Sequence, residues 1–323
     1  MEAFLLMLAL LVFAILLDLI FGEPPWQSRF SLHPTVWVNA FIKKLVPFFR
    51  NENPRIEKVN GALLAIVTIL VVAIPTFLIL NFFQMFHILF YIVVAALILK
   101  LTLCIKLETE IAKHAAKAVE DNDLEKGTDC VAMFSRRKTD QFNGQQVVSA
   151  VLESMAENLT DFKLSPIFYY SIFGVTGAVV FKIINILDGT VGFKNEEYIN
   201  IGWFSAKLDT VANFLLSRLT ALFIVLVSPF SGGSFRNAWK IMVRDRKKVP
   251  STNHGWPMAA IAGALNVTLE KPGYYVIGDK IEELAPEHIY KALRIRNWAI
   301  FLFILLIEIP ISIAITYFFG LMV

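Results

Sequence analysis

Long apolar runs alternate with polar blocks along this chain. Residues 3–21, 61–80, 87–105 and 298–321 are nearly continuous in Leu, Ile, Val, Phe and Ala. Each is close to the ~20 residues that carry a helix across a bilayer. Backbone in lipid must satisfy its hydrogen bonds within its own segment, so these runs predict spanning helices. Pro75 predicts a kink in the second, because proline lacks the N–H that closes a helical turn. Two further apolar segments, 164–187 and 213–230, are interrupted by Lys182, Asn185 and Arg218. Ionisable groups at membrane depth face water or a partner, so these segments predict helices that line a cavity or cross. The expected fold is an all-α polytopic integral membrane protein, a single membrane domain over 1–323, with cytoplasmic helical loops and a polar cavity.

Composition supports the membrane reading. Hydrophobic residues make up 56% of the chain, above the roughly 45–50% of ordinary soluble domains. The first run has no basic flank before it and leads into Asp18 and Gly22-Glu23-Pro24-Pro25, so it reads as a retained span rather than a signal peptide. The net charge of +3 says little, but its distribution says more. Basic residues gather in the loop after the first span (Arg29, Lys43, Lys44, Arg50, Arg55, Lys58), in 106–163, which includes Arg136, Arg137 and Lys138, and in 231–297. The positive-inside rule places these blocks in the cytoplasm and the N-terminus outside. Arg244 to Lys248 reads as a contact for anionic lipid headgroups, not for nucleic acid. Asp121-Asn122-Asp123 and Lys126-Gly127 predict turns. Cys104 and Cys130 are too few and too dissimilar in setting for a disulfide framework or a thiolate metal site.

The polar blocks carry the candidate chemistry. Glu153, Glu157 and Asp161 are spaced by four, one row on a helix. Such a row is either a solvated acidic face or a site for a cation such as Mg²⁺, held by carboxylates together with phosphate oxygens. Lys182, Asn185 and Asp188 recur every three residues, and Gly189 predicts the end of that helix. Lys194 follows; lysines near acids can neutralise phosphate charge, or snorkel to an interface. Asp209 and Asn213 lie one turn apart, flanked by Lys207 and Arg218. Ser231-Gly232-Gly233-Ser234 and Asn253-His254-Gly255-Trp256-Pro257 each precede a helical stretch, where free N–H groups suit anions. The five histidines show no metal spacing and read as structural, and no phosphate-binding loop, nucleophile elbow or dinucleotide fingerprint occurs.

Four blocks resemble the cobalamin-biosynthesis CobD/CbiB family: ESMAENLTD at 153–161, KIINILDGTVGFK at 182–194, SAKLDTVANFLLSRL at 205–219 and NHGWPMAAIAGAL at 253–265. The early DLIFGEPP with His33-Pro34, and KPGYYVIG at 271–278, are also similar. The blocks keep the family's order. The resemblance implies ATP-dependent amide ligation of aminopropanol, or its O-phosphate, to the propionate carboxylate of the corrinoid cobyric acid. With it come ATP and Mg²⁺ as co-substrate and metal, a corrinoid and an amino alcohol as partners, and a multi-pass position in the cell membrane. Self-association, or association with other enzymes of the pathway, is compatible with this reading. On it, Glu153, Glu157 and Asp161 hold Mg²⁺, and Lys182, Lys194 and Lys207 neutralise phosphate charge. Asp188 and Asp209 orient the metal or deprotonate the amine. Arg218 and the amides of Asn158, Asn185, Asn213 and Asn253 bind the nucleotide. The chain departs from the family at Arg137-Lys138-Thr139, where Arg-Asp-Thr is common, at Gly189, at Leu216-Ser217, and at His254, which replaces a small residue. A transporter of a small anionic or corrinoid substrate, and a non-catalytic membrane sensor, are the rival readings.

Overall fold

The computed structural model describes residues 2–23, 33–134 and 142–319. Pro24-Pro25, Arg29, the basic stretch Arg136 to Thr139 and the last two residues of the 298–321 run lie outside them. Helices run α1 Glu2–Phe21, α2 Pro34–Phe49, α3 Pro54–Phe86, α4 Ile88–Lys100, α5 Lys106–Glu120, α6 Leu124–Phe134 and α7 Gly144–Leu159. After a π-helical turn, Thr160–Leu164, come α8 Ser165–Val191, α9 Trp203–Ala212, α10 Phe214–Val227, α11 Phe235–Asp245 and α12 Gly255–Ala264. A hairpin of β1 Thr268–Lys271 and β2 Tyr275–Gly278 precedes α13 Pro286–Phe303, a second π turn at Ile304–Glu308, and α14 Ile309–Phe319.

The protein is therefore an all-α polytopic membrane protein with one small hairpin. Among the described residues, five helical runs are long and apolar enough to cross a membrane: Phe4–Phe21, Pro54–Phe86, Gly144–Val191, Phe214–Ser231 and Pro286–Phe318. The 61–80 run sits inside the longer α3, which continues through Pro75. Of the 87–105 run, α4 covers Ile88–Lys100, and the chain turns after it. Several boundaries follow from capping. Asn53 accepts the Arg55 N–H ahead of Pro54, and Asn143 and Gln146 form a reciprocal capping box on α7. Two expected stops differ. Lys126-Gly127 lies within α6, the turn being confined to Asp121–Asp123. Gly189 does not end its helix; α8 runs on to Val191 and leaves at Gly192. A single glycine lowers helix propensity by only about 1 kcal/mol, and packing of the apolar face outweighs it.

The chain divides into two compact units. The first comprises Met1–Ile105, Ser165–Ala212 and Ile307–Val323. Its core joins Ile42, Leu64, Ala65, Ile183, Leu187 and Ile201 from α2, α3, α8 and the segment before α9. Helix α8 is broken at Gly174 (φ 66, ψ −162), a backbone region open to glycine almost alone. The polar ends of the early DLIFGE motif, Asp18 and Glu23, act as a buried staple. Asp18 Oδ2 accepts the Ile105 N–H at 3.0 Å, Lys100 donates to the Gly22 carbonyl, and Glu23 lies between Lys100 (3.3 Å) and His33. Nδ1 of His33 accepts the Thr35 N–H, so the ring proton sits on Nε2, toward Glu23. Glu308, buried in this unit, accepts from Ser312 through one oxygen, Oε1, at 2.8 Å.

Gly61 of α3 is where this unit allows no side chain: a Cβ there would lie 2.0 Å from the Ile201 carbonyl oxygen. Both sides of that contact are backbone, so no rotamer change relieves it. Gly61→Ala is expected to destabilise the protein by about 1–3 kcal/mol, read as a lower melting temperature in detergent. Gly189→Ala is the control, since a Cβ at Gly189 meets nothing within 4 Å.

The second unit comprises Lys106–Leu164 and Asn213–Leu306. Helix α12 is buried along its whole small-residue length except near His254 and Trp256, and packs against α7, α10 and α11. The antiparallel hairpin pairs Thr268 with Gly278 and Lys271 with Tyr275, placing Leu269 and Ile277 on its buried face. Asp245 ties α11 to the hairpin: it accepts the Gly278 N–H at 2.8 Å and pairs with Arg244 at 2.7 Å and Lys248 at 2.9 Å. Burial alone would push this carboxyl up, but the two cations and the N–H outweigh it and hold it at about 2. A folded-state value below the unfolded one stabilises above the ordinary carboxylate range and is lost as pH falls through about 2. Asp245→Asn is thus expected to flatten the loss of stability between about pH 4 and pH 2, measured as unfolding midpoint against pH.

Candidate functional site

Helix α7 carries the acidic row, and the structure divides it. Glu153 is fully buried. One of its oxygens accepts from Ser149 Oγ at 2.9 Å and the other from the Tyr275 hydroxyl. Ser149 in turn accepts the Glu270 N–H at 2.9 Å. Glu153 thus fastens α7 to the hairpin. The other two acids face a different partner. His254, just before α12, sets Nδ1 3.6 Å from Glu157 Oε1 and Nε2 3.5 Å from Asp161 Oδ2. Both distances exceed a good hydrogen bond, so imidazole and carboxylates attract without being locked. Oδ1 of Asp161 is buried and accepts no hydrogen bond among the described residues. A buried carboxylate oxygen in that condition is unfavourable unless a ligand or proton uses it.

The π turn explains how Asp161 is aimed. An extra residue in the turn shifts Thr160–Leu164 out of α-helical register, a distortion common at functional sites. Thr160 donates to Thr220 Oγ1 of α10 at 3.1 Å. Lys163 turns fully inward to Glu108 of α5 at 2.6 Å, and Arg296 of α13 meets the other Glu108 oxygen at 3.0 Å. Arg296 also donates to Thr109 and Asn297. This buried triad holds α5, α13 and the π turn together behind Asp161.

Arg218 of α10 donates to the Phe214 carbonyl, to Ser217 Oγ at 3.2 Å and to Asn253 Oδ1 at 3.3 Å. Asn253 and Asn213 are buried, and Asn158 is half-buried beside Glu157. Three blocks far apart in sequence, 153–161, 213–220 and 251–256, therefore meet within this unit. The remaining candidates belong to the other unit. Lys182, Asn185 and Asp188 share one half-buried face of α8, Asp209 is buried on α9, and Lys194 and Lys207 are exposed. Among the described residues, no three His, Cys, Asp or Glu side chains gather as a ready metal-ligand set. Glu157 and Asp161 are a pair, which suits a cation whose other ligands come from substrate.

Sequence reasoning did not find His254, Lys163, Glu108, Arg296 or Tyr275 as parts of this arrangement. His254 reads as a lone structural histidine until α12 is packed on α7. Lys163 had a usable signal: a lysine two residues beyond Asp161, at the edge of an apolar segment.

A sequence model of the CobD/Cbib protein family matches residues 11–296. The chain is 32% identical over 297 residues to a probable cobalamin biosynthesis protein CobD of Methanothermobacter thermautotrophicus, covering 92% of this chain and 95% of that one. It is 34% identical to a probable cobalamin biosynthesis protein CobD of Methanocaldococcus jannaschii, over 83% of this chain and 87% of the other. It is 32% identical to the cobalamin biosynthesis protein CobD of Dehalococcoides mccartyi, over 96% and 98%. No solved structure matches.

Proposed function

The chain belongs to the CobD/CbiB family of cobalamin-biosynthesis proteins, and from that premise we propose that it joins aminopropanol, or its O-phosphate, in amide linkage to the propionate carboxylate of cobyric acid at the expense of ATP. The observation that carries this reading is the imidazole of His254 between Glu157 and Asp161, with Asp161 Oδ1 buried and unbonded among the described residues. Amide formation at neutral pH needs an activated carboxylate. The simplest activation transfers the terminal phosphoryl group of ATP to the propionate oxygen, releasing ADP. The amine nitrogen then bonds to the acyl carbon, phosphate leaves, and the amine gives up a proton. Mg²⁺, when bound, would supply shielding of phosphate charge. Glu157 and Asp161 are the residues that would hold it, and the orphaned Asp161 Oδ1 fits that task. His254 is placed to accept the proton the amine loses. Glu153 keeps the hairpin in position and stays outside the chemistry.

In this reading Lys182, Lys194, Lys207, Asp188 and Asp209, carried by α8, α9 and the loop between them, face the cytoplasmic side of the cell membrane. Cysteine labelling at Gly192 tests that side; labelling from outside alone would defeat it. The break in α8 at Gly174 favours the transporter as second reading, since broken helices line transport sites. One assay separates the two. Purified protein is incubated with cobyric acid, aminopropanol or its phosphate, and Mg²⁺-ATP, and the corrinoid is read by mass spectrometry. Gain of the amide supports ligation; an unchanged corrinoid, with ATP intact, sinks it.

A further inference from the structure

Two guanidinium groups share one indole. Arg218 lies with Cζ 5.0 Å from the Trp256 ring centre and 3.5 Å from that of Phe214. Arg246, which caps the C-terminus of α11, lies 4.7 Å from the same Trp256 ring. Both are half-buried. Arg218 donates to the oxygens of Phe214, Ser217 and Asn253, and Arg246 to the Val243 carbonyl. Among the described residues neither has a carboxylate partner.

The other arginines show how unusual this is. Arg50, Arg244 and Arg296 each lie on a carboxylate. Arg55, Arg236 and Arg294, which have none among the described residues, are exposed and solvated. Arg218 and Arg246 alone of these are drawn partly out of water, beside one another, with no acid. The π faces offset part of that cost, but two like charges in a partly desolvated place favour an anion. Guanidinium forks match phosphate oxygens in geometry as well as charge. The N-terminus of α12, opening at Gly255, adds partial positive charge from the same side. Asn253, which touches Arg218, immediately precedes His254, which touches Glu157 and Asp161. Adjacent residues thus contact the acidic pair and one of the two guanidinium groups.

We propose that Arg218 and Arg246, held against Trp256, form the phosphoryl-group receptor of this site. The proposal rests on the reading of the neighbouring carboxylates as a ligation centre, and deepens it. The phosphoryl group belongs either to the nucleotide or to the O-phosphate of the amino alcohol.

The test is calorimetric titration of the full-length protein in detergent with three probes: Mg²⁺-ATP, aminopropanol O-phosphate and free aminopropanol. Arg246→Gln is expected to bind one phosphate-bearing probe about 10–100-fold more weakly, the scale of a lost charge-assisted contact. Free aminopropanol is unaffected, and the probe that weakens identifies the source. Arg246→Lys keeps charge but loses the fork, so it recovers part of the loss; should Arg246→Gln melt early, this variant is read instead. Binding of both phosphate probes within twofold of the unaltered protein overturns the receptor. So does an equal loss for free aminopropanol, or no binding of either phosphate probe to the unaltered protein. Turnover is scored apart. Phosphate-dependent loss without ligation defeats the ligase reading and leaves the receptor standing, whereas ligation with unchanged binding in Arg246→Gln does the reverse.

Discussion

Asp161→Asn is expected to lower the rate of corrinoid ligation by about 10²–10³-fold while leaving the protein as stable as before, or slightly more so. The magnitude is that of removing one preorganised electrostatic group from a water-poor site. Among the described residues Asp161 Oδ1 is buried and has no hydrogen-bond partner, and Oδ2 stands 3.5 Å from His254. A side chain kept in that state contributes little to folding, so its neutral isostere relieves desolvation rather than creating it. Opposite signs for activity and stability mark a group retained for function. The measurement pairs a turnover assay with a melting curve in the same detergent. Near-normal turnover, or a loss that tracks a falling melting temperature, would remove Asp161 from the site. Glu157→Gln should lower turnover in the same direction, and a double variant should fall short of the product of the two effects, because both carboxylates face one imidazole and, on the proposed reading, one cation.

Glu108→Ala is expected to destabilise the protein by about 3–5 kcal/mol, the range for removing one partner of a buried ion pair. Glu108 is 1% exposed, Lys163 0% and Arg296 3%, so its loss would leave two buried cations facing each other. Lys163→Met should cost less, since Glu108 keeps Arg296, and Arg296 keeps Thr109 and Asn297. The double variant Glu108→Leu, Lys163→Met should recover part of the loss. Denaturant or thermal unfolding of the three proteins decides this; a Glu108→Ala protein within about 1 kcal/mol of the original would mean that water reaches the triad.

The two outcomes differ because the two sets of charges differ in spacing. Each Glu108 oxygen lies against a cation, at 2.6 Å and 3.0 Å, whereas His254 stands 3.6 Å and 3.5 Å from its two acids. Neither state is visible in the residue order. Glu153, Glu157 and Asp161 are equivalent by spacing, and the row alone reads either as a solvated acidic face or as one cation site. Packing of the hairpin on α7 takes Glu153 out of that set through Tyr275, more than a hundred positions away. The π turn then redirects Asp161 and sends Lys163 inward. Likewise His254 stands out in the sequence as part of a loop before a helix and as a departure from its family's small residue, not as a partner of the acidic row.

Membrane character and helical class needed nothing beyond residue order. Hydrocarbon tolerates backbone only when each segment closes its own hydrogen bonds, and a score of consecutive apolar side chains has few other uses. The four conserved-order blocks carried kinship in the same way, since each is a local string. Partnership among charges is another kind of quantity. It depends on which atoms stand within a few ångströms after distant segments pack. Here one added residue in a helical turn, and one hairpin laid across a helix, divided three like acids into a fastener and a pair that faces one imidazole.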